Sequence, residues 1–269
     1  MTDPECRPDG GPTRPETRVS VVIPALNEAR NLPHVFGRLP DDVYEVIVVD
    51  GGSVDGTPET AVLLRPGTRV IAQTRRGKGN ALACGFAAAT GDVIIALDAD
   101  GSTDPAEVPR FVAALEAGAA YVKGTRFAAG GGSSDITWFR KRGNGLLNGL
   151  VNVVWGLRNS DLCYGYFGFW AHHLPVLGLD AHGTGKPVWG DGFEIETLVT
   201  LRMARSGLPT VEVPSFERRR LYGESNLRAL ADGWRILNVI VQERKRRPAP
   251  AMSPAPPVGL GGAYDLERS

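Results

Sequence analysis

Three short runs of mostly β-branched residues, Val19-Ser-Val-Val-Ile-Pro24, Glu45-Val-Ile-Val-Val-Asp50 and Val93-Ile-Ile-Ala-Leu97, leave this chain few folds to choose from. None alternates apolar with polar residues, so each must be buried on both faces, as parallel strands covered by helices on two sides are. Helical patterns fall between the runs. After the first, Leu32, Val35, Phe36 and Leu39 are spaced to turn inward; a small-residue helix is expected over residues 78–89, and another from Pro105 to about Glu116. Val70-Ile71 reads as a weak third strand. The expectation is an α/β protein with a mostly parallel central sheet flanked by helices, a single domain over residues 18–247. In such sheets ligands bind beyond the carboxyl ends of the strands, and the polar residues gather at those ends.

The second half is less regular. Residues 138–157 read as an amphipathic helix, 162–170 as an aromatic, glycine-rich loop and strand, and 193–205 as a helix. Residues 211–220 read as a strand entering a basic loop, and 227–247 as a last amphipathic helix. Residues 1–17 and 248–269, heavy in Pro and Gly, read as solvated, mostly disordered tails. With 30 Lys+Arg against 30 Asp+Glu the chain is formally neutral, so it is not a general polyanion binder, and no nucleic-acid partner is expected. Three cysteines, Cys6, Cys84 and Cys163, fit neither a disulfide framework nor a metal cluster and point to a reducing compartment. No run reaches the roughly 18 apolar residues that span a bilayer, and the first residues do not resemble a signal peptide. A cytoplasmic protein is expected.

The candidate chemistry sits in short motifs. Asp98-Ala99-Asp100 follows the most hydrophobic run, and alternate strand residues share a face, so both acids can point into one site. A divalent cation or ligand hydroxyls would relieve their repulsion, and hard oxygen ligands suit Mg²⁺ or Mn²⁺; a solvated turn is the other reading. Asp104-Pro105-Ala106-Glu107 looks like a helix start, with N-cap, N1 proline and N3 glutamate. In Asp50-Gly51-Gly52-Ser53-Val54-Asp55-Gly56-Thr57 the glycines allow close ligand approach, while Asp55 can hold the loop. Asn27 of Pro24-Ala25-Leu26-Asn27-Glu28 can cap the next helix, which leaves Glu28 to explain. Lys78 in Arg76-Gly77-Lys78-Gly79-Asn80 can reach a phosphate or stay exposed; no Walker loop is present. Lys123-Gly124-Thr125-Arg126 supplies two cations at a strand end, suited to a phosphate or sugar hydroxyl. Asp191, Glu194 and Glu196 lie near a helix start, where some acids serve the dipole. Arg218-Arg219-Arg220 precedes Leu221-Tyr222-Gly223-Glu224-Ser225 and is either a solvated loop or an anion clamp. The four histidines show no metal spacing.

The order of these motifs is more specific than any one of them. VSVVIPALNE, EVIVVDGGSVDGT, GKGNAL, LDADGSTDP, KGTRF, DLCYGYFGFW, DGFEIETL and ERRRLYGESNL together resemble the family 2 glycosyltransferases of the GT-A fold, across roughly residues 18–228. Within that family the chain looks most like the polyprenyl-phosphate glycosyltransferases, the dolichol-phosphate-mannose-synthase branch. The resemblance implies that Pro24, Asn27 and Glu28 line a nucleotide pocket, Asp50 contacts the base, and Gly52 and Ser53 shape its loop. It puts Lys78 near the base or diphosphate, Asp98 and Ala99 beside the ribose or a metal-bound water, and Asp100 on a divalent ion, Mg²⁺ or Mn²⁺. Ser102 stands where relatives often have a glutamine helping that ion. Arg126 would approach the diphosphate or the sugar, and Arg220 and Ser225, with Arg218, would hold the acceptor phosphate. Two departures stand out: Gly51 replaces a second Asp, and Ser225-Asn226 replaces Ser-Lys.

The implied activity is inverting transfer of a sugar from a GDP- or UDP-sugar to a polyprenyl phosphate. A lipid phosphate with a second pKa of about 6 arrives largely anionic at neutral pH, so it needs positioning cations rather than a base. A soluble hydroxyl acceptor, the alternative, would need a carboxylate such as Asp191, Glu194 or Glu196. Leu227, Leu230, Trp234, Leu237 and Val241, and likewise Leu146, Leu147, Leu150, Val151, Val154 and Trp155, lie at helical spacing beside Arg/Lys clusters. Such faces suit a peripheral helix on an anionic membrane surface; equally, they suit packing on the sheet or on an oligomer partner.

Overall fold

A computed structural model describes residues 16–223 and 229–245. The chain runs β1 (Val19–Ala25), α1 (Leu32–Phe36), β2 (Glu45–Asp50), α2 (Thr57–Leu64), β3 (Arg69–Ala72), α3 (Lys78–Ala88) and β4 (Val93–Ala96). A 3₁₀ turn over Pro105–Glu107 leads into α4 (Val108–Glu116), then β5 (Tyr121–Thr125), β6 (Gly132–Ser133), α5 (Trp138–Trp155), β7 (Phe167–Trp170) and α6 (Leu174–Leu177). Last come α7 (Ile195–Arg205), β8 (Thr210–Pro214), β9 (Phe216–Glu217) and α8 (Ala229–Lys245). Seven strands form one sheet in the order β3-β2-β1-β4-β7-β5-β8, parallel except for β7, which runs antiparallel to both β4 and β5. The mostly parallel sheet expected from the sequence is present. The short parallel pair of β6 with β9 and the small helix α6 were not anticipated.

The uninterrupted apolar runs feed two cores. Along β2, Val46 and Val48 face one side with Leu32, Val35 and Phe111, whereas Ile47 and Val49 face the other with Leu82, Phe86 and Leu198. This period of two divides each strand between helices α1, α2 and α4 and helices α3 and α7. Phe36, expected inward, is only partly buried against its core. The aromatic segment before and within β7 fills the second half of the sheet, with Tyr166 stacked on Phe111 at a centroid separation of 4.1 Å.

Helix starts differ in detail from expectation. Asp104 does cap, accepting from the Ala106 N–H at 3.1 Å, but the turn it opens is 3₁₀. Glu107 does not fold back in a capping box; it accepts from the Ser215 hydroxyl and the Phe216 N–H. Asn27 is not a cap: α1 begins only after Asn31. On α8 the buried apolar residues are Ile236, Val239 and Ile240, while Trp234 and Val241 of the expected apolar stripe are exposed. Leu227 and the basic end at residues 246–247 lie outside the described residues. On α5, Val151 is buried and Leu147, Leu150 and Trp155 pack on the core, leaving Leu146 at 77% exposure. Thr17, assigned to the N-terminal tail, donates its hydroxyl to Glu116; the rest of the two expected tails, residues 1–15 and 248–269, falls outside the description.

Candidate active site

The carboxyl ends of β1, β2 and β4 open into a cleft of about 2400 Å³. Pro24, Asn27, Glu28, Asp50, Gly52, Lys78, Asp98, Ala99, Asp100, Ser102, Arg126, Glu196 and Arg220 all line it. Parallel topology explains the convergence, because each strand delivers its last residue to the same edge. Ser53, Arg218, Asp191 and Glu194 lie off its surface, and Ser225 lies outside the described residues.

The β1 and β2 ends are tied to each other. Asn27, with φ +57°, accepts from the Val54 N–H through its side chain and donates its own N–H to the Ser53 hydroxyl. Asp50 turns back on its loop to accept from the Gly52 and Ser53 N–H groups at 3.0 and 3.2 Å. Asp55 holds the loop, as its place in the motif suggested, accepting from Ala29 and from Thr57.

Charges alternate across the floor. Lys78 Nζ stands 2.6 Å from Asp98 and 2.7 Å from Glu196. Arg220 reaches Glu28 at 3.0 Å and Asp100 at 3.1 Å. Burial works against the Lys78 charge, but the Asp98 and Glu196 carboxylates outweigh it and raise its pKa. Burial raises the Asp98 carboxyl against the pull of Lys78, and raises Glu28 against its bonds from Asn31 and Arg220. Asp100 also accepts the Ser102 N–H at 2.9 Å.

The glycines around Lys78 serve packing rather than a phosphate cradle. A Cβ on Gly77 would lie 2.0 Å from the Asp191 carbonyl oxygen, and one on Gly79 would lie 1.8 Å from that of Gly190. The turn at residues 190–191 lies against the start of α3, its Asp191 carbonyl accepting from the Gly79 N–H at 2.8 Å. Asp191 itself is spent on Arg75, which grips it through two bonds of 2.8 and 2.9 Å. Glu194 bonds the Gly190 and Gly192 N–H groups. Of the three acids at this helix start only Glu196 reaches the cleft, where it serves Lys78.

Three cations expected near a phosphate or sugar are bonded within the protein. Lys123 is buried, donates to the Tyr164 carbonyl, and has its pKa lowered by burial; it does not line the cleft. Arg126 touches the cleft, but its guanidinium binds Asp161 at 2.7 and 2.9 Å and Glu217 at 3.0 Å. Arg218 leaves the Arg cluster to pair with Asp104 at 3.0 Å. Sequence reasoning missed Arg75, Asn31 and Asp161. A lone buried acid or amide carries no local signal, because its partner is remote in the chain.

Asp98 and Asp100 offer hard oxygen donors on one edge. Among the described residues no cluster of three or more His, Cys, Asp or Glu could hold a metal ion by itself. That donor set fits Mg²⁺ or Mn²⁺ held by one or two carboxylates and completed by substrate phosphates.

Residues 20–174 match the model of glycosyl transferase family 2. The chain is 34% identical to undecaprenyl-phosphate mannosyltransferase of Micrococcus luteus, over 82% of this chain and 92% of that protein. It is 32% identical to an undecaprenyl-phosphate 4-deoxy-4-formamido-L-arabinose transferase of an Enterobacter species, over 77% of this chain and 62% of that longer protein. Among solved structures, glucosyl-3-phosphoglycerate synthase of Mycobacterium tuberculosis with Mg²⁺ and uridine diphosphate shares the fold, with a TM-score of 0.63 and 25% identity over 85% of this chain and 80% of that one. The chain belongs to glycosyl transferase family 2, on the branch of the polyprenyl-phosphate glycosyltransferases, and is a nucleotide-sugar-dependent glycosyltransferase with a GT-A fold.

Proposed function

We propose that this enzyme moves a sugar from a nucleoside-diphosphate donor, GDP- or UDP-linked, to a polyprenyl phosphate. The observation that carries the reading is the two-part character of the cleft. Its sheet edge is charged, whereas the gap between α5 and α8 is lined by Phe139, Leu146, Leu147, Leu150, Trp234 and Leu237. An isoprenoid chain suits the apolar half and a phosphate suits the arginine beside it. The substrates named for the relatives from Micrococcus luteus and Enterobacter support the same acceptor class.

In this reading Pro24, Asn27, Glu28, Asp50, Gly52 and Ala99 form the nucleotide pocket, with Ser53 shaping it from behind. Asp100, with Asp98 and Ser102 beside it, holds a divalent cation, Mg²⁺ or Mn²⁺, together with the donor diphosphate. When bound, that ion neutralises charge on the leaving diphosphate. Lys78 adds a second cation at the donor. Arg220, assisted by Ser225, holds the acceptor phosphate, whose oxygen attacks the anomeric carbon as the bond to the diphosphate breaks. The anionic phosphate needs no proton removed, and Glu28, Asp98, Asp100 and Glu196 of the cleft are each paired with a cation. Arg126 acts as a positioning residue, bracing the wall through Asp161 and Glu217.

No helix among the described residues is long and apolar enough to cross a membrane. Trp138 at 70% exposure, Phe139 at 58% and Trp234 at 65% stand near the apolar half of the cleft. Exposed aromatics beside Arg140, Lys141 and Arg142 support peripheral binding to an anionic membrane surface, on the cytoplasmic face, where nucleotide sugars are met.

The test incubates purified full-length protein with Mg²⁺ or Mn²⁺, a panel of nucleotide sugars and polyprenyl phosphate in detergent, following nucleotide release and lipid product by mass spectrometry. Lipid-dependent release with a glycosylated polyprenyl phosphate is expected. D100A should abolish it, and R220A should raise the acceptor KM. Nucleotide release that ignores the lipid would overturn the acceptor assignment.

A further inference from the structure

The arginine loop is held from the far side of the sheet edge by an amide that its own helix does not use. Asn31 occupies the position before α1, where an Asn side chain ordinarily caps the helix. Here it makes no capping bond. It is 2% exposed, and both polar atoms of its side chain are committed elsewhere. Its Nδ2 donates to a Glu28 carboxylate oxygen at 2.5 Å and to the Tyr222 carbonyl at 3.1 Å, and its Oδ1 accepts from the Tyr222 N–H at 3.1 Å. One primary amide therefore reads both backbone groups of a residue 191 positions away. The Tyr222 ring is held as well, with the Arg30 guanidinium 4.2 Å from its centroid.

Two residues before Tyr222, Arg220 bridges Glu28 and Asp100. Glu28 thus has one oxygen on Asn31 and the other on Arg220. We infer that Asn31 is the positioning residue for Arg220: it fixes the backbone at Tyr222 so that the guanidinium stands over the Glu28 and Asp100 carboxylates. This rests on the acceptor role proposed for Arg220 only for its effect on turnover; the latch itself does not depend on it. Aspartate cannot replace the amide. A carboxylate there would face the Glu28 carboxylate and the Tyr222 carbonyl with no proton to donate.

The experiment compares wild-type protein, N31A, N31D, R220A and the N31A/R220A double variant, all full length. Backbone hydrogen exchange over residues 217–223 is measured without substrates. N31A is expected to speed exchange at Tyr222 by about tenfold or more, as loss of two hydrogen bonds implies, while exchange in β1 and β2 stays unchanged. Unchanged exchange at Tyr222 would overturn the latch. In turnover, N31A and N31D should each lower kcat/KM for polyprenyl phosphate by about tenfold, and N31A should add almost nothing in the R220A background. Additive losses would show that Asn31 acts on stability or the donor pocket instead, and would overturn the inference. If wild-type protein ignores polyprenyl phosphate, the acceptor reading falls, and the exchange measurement still decides the latch.

Discussion

The Lys78 ammonium stands 2.6 Å from Asp98 and joins it to Glu196 on the other side, 2.7 Å away. One side chain at the start of α3 thereby ties the end of β4 to the first turn of α7. Under the proposed function, Glu196, paired with Lys78, belongs to the donor half of the cleft rather than acting as a base on a hydroxyl acceptor. It also explains why a lysine flanked by glycines needs no phosphate loop around it: its carboxylate partners, not backbone amides, fix its position.

E196Q keeps the shape and removes one counter-charge from Lys78. The expected result is a fall in kcat/KM for the nucleotide sugar of about tenfold, near 1.4 kcal/mol, with the acceptor KM close to wild type. Steady-state kinetics with each substrate varied in turn will check it. A change confined to the acceptor would return Glu196 to the acceptor side.

G79A and G77A should both damage folding. The added methyl group would meet the Gly190 or Asp191 carbonyl oxygen at 1.8 or 2.0 Å, and the obstacle is backbone rather than a movable side chain. Overpacking of this kind costs about 3 kcal/mol or more. Denaturant unfolding should show it as a lower midpoint; an unchanged midpoint would mean that the 190–191 segment does not pack on α3.

Removing Arg126 leaves Asp161, itself fully buried, and Glu217 without their cation. R126A should lose about 3–5 kcal/mol of stability, the cost of an unpaired buried charge. R126K restores the charge but not the two-point grip on Asp161, so it should recover only part of that loss. Both follow from equilibrium unfolding in urea.

Glu45 sets part of the acid limit. Despite the cost of partial burial, bonds from the Thr90 N–H and the Ser20 hydroxyl, with Arg69, lower its pKa from 4.5 to about 2. The folded state therefore binds fewer protons than the unfolded chain between those values. The contribution is complete above pH 4.5 and is lost as pH falls toward 2; it amounts to about 2 kcal/mol once solvent screening is allowed for. E45Q should be less stable at pH 7 and should lose less than wild type between pH 5 and 2, which unfolding curves across that range will resolve.

Much of the fold was legible in the chain because unbroken apolar runs such as residues 46–49 can be satisfied only by cover on two faces. The end of β4 was equally readable: Asp98 and Asp100 follow the most hydrophobic run and stand at its carboxyl edge. Residues with remote partners were not. Nothing near Asn27 says that its side chain crosses to Val54 instead of capping a helix, and nothing near Lys123 says that it turns into the core while Arg126 is taken by Asp161. On α8 the stripe through Trp234 and Val241 has helical spacing, yet Ile236, Val239 and Ile240 are the apolar residues buried. Several apolar faces on one helix can satisfy the same period, and the neighbour that covers one of them decides.

The sequence by itself determined the sheet, the edge at which the cleft opens and the family to which the chain belongs. Those follow from local hydrophobic patterning and from motifs whose residues are adjacent in the chain. Only the tertiary structure decided which charges meet: Lys78 with Asp98 and Glu196, Arg220 with Glu28 and Asp100, Arg75 with Asp191, and Asn31 with Tyr222. Pairing at 2.6–3.1 Å depends on where elements far apart in the chain come to rest. At that range, buried charge and amide groups must each find a partner or forfeit the water they gave up.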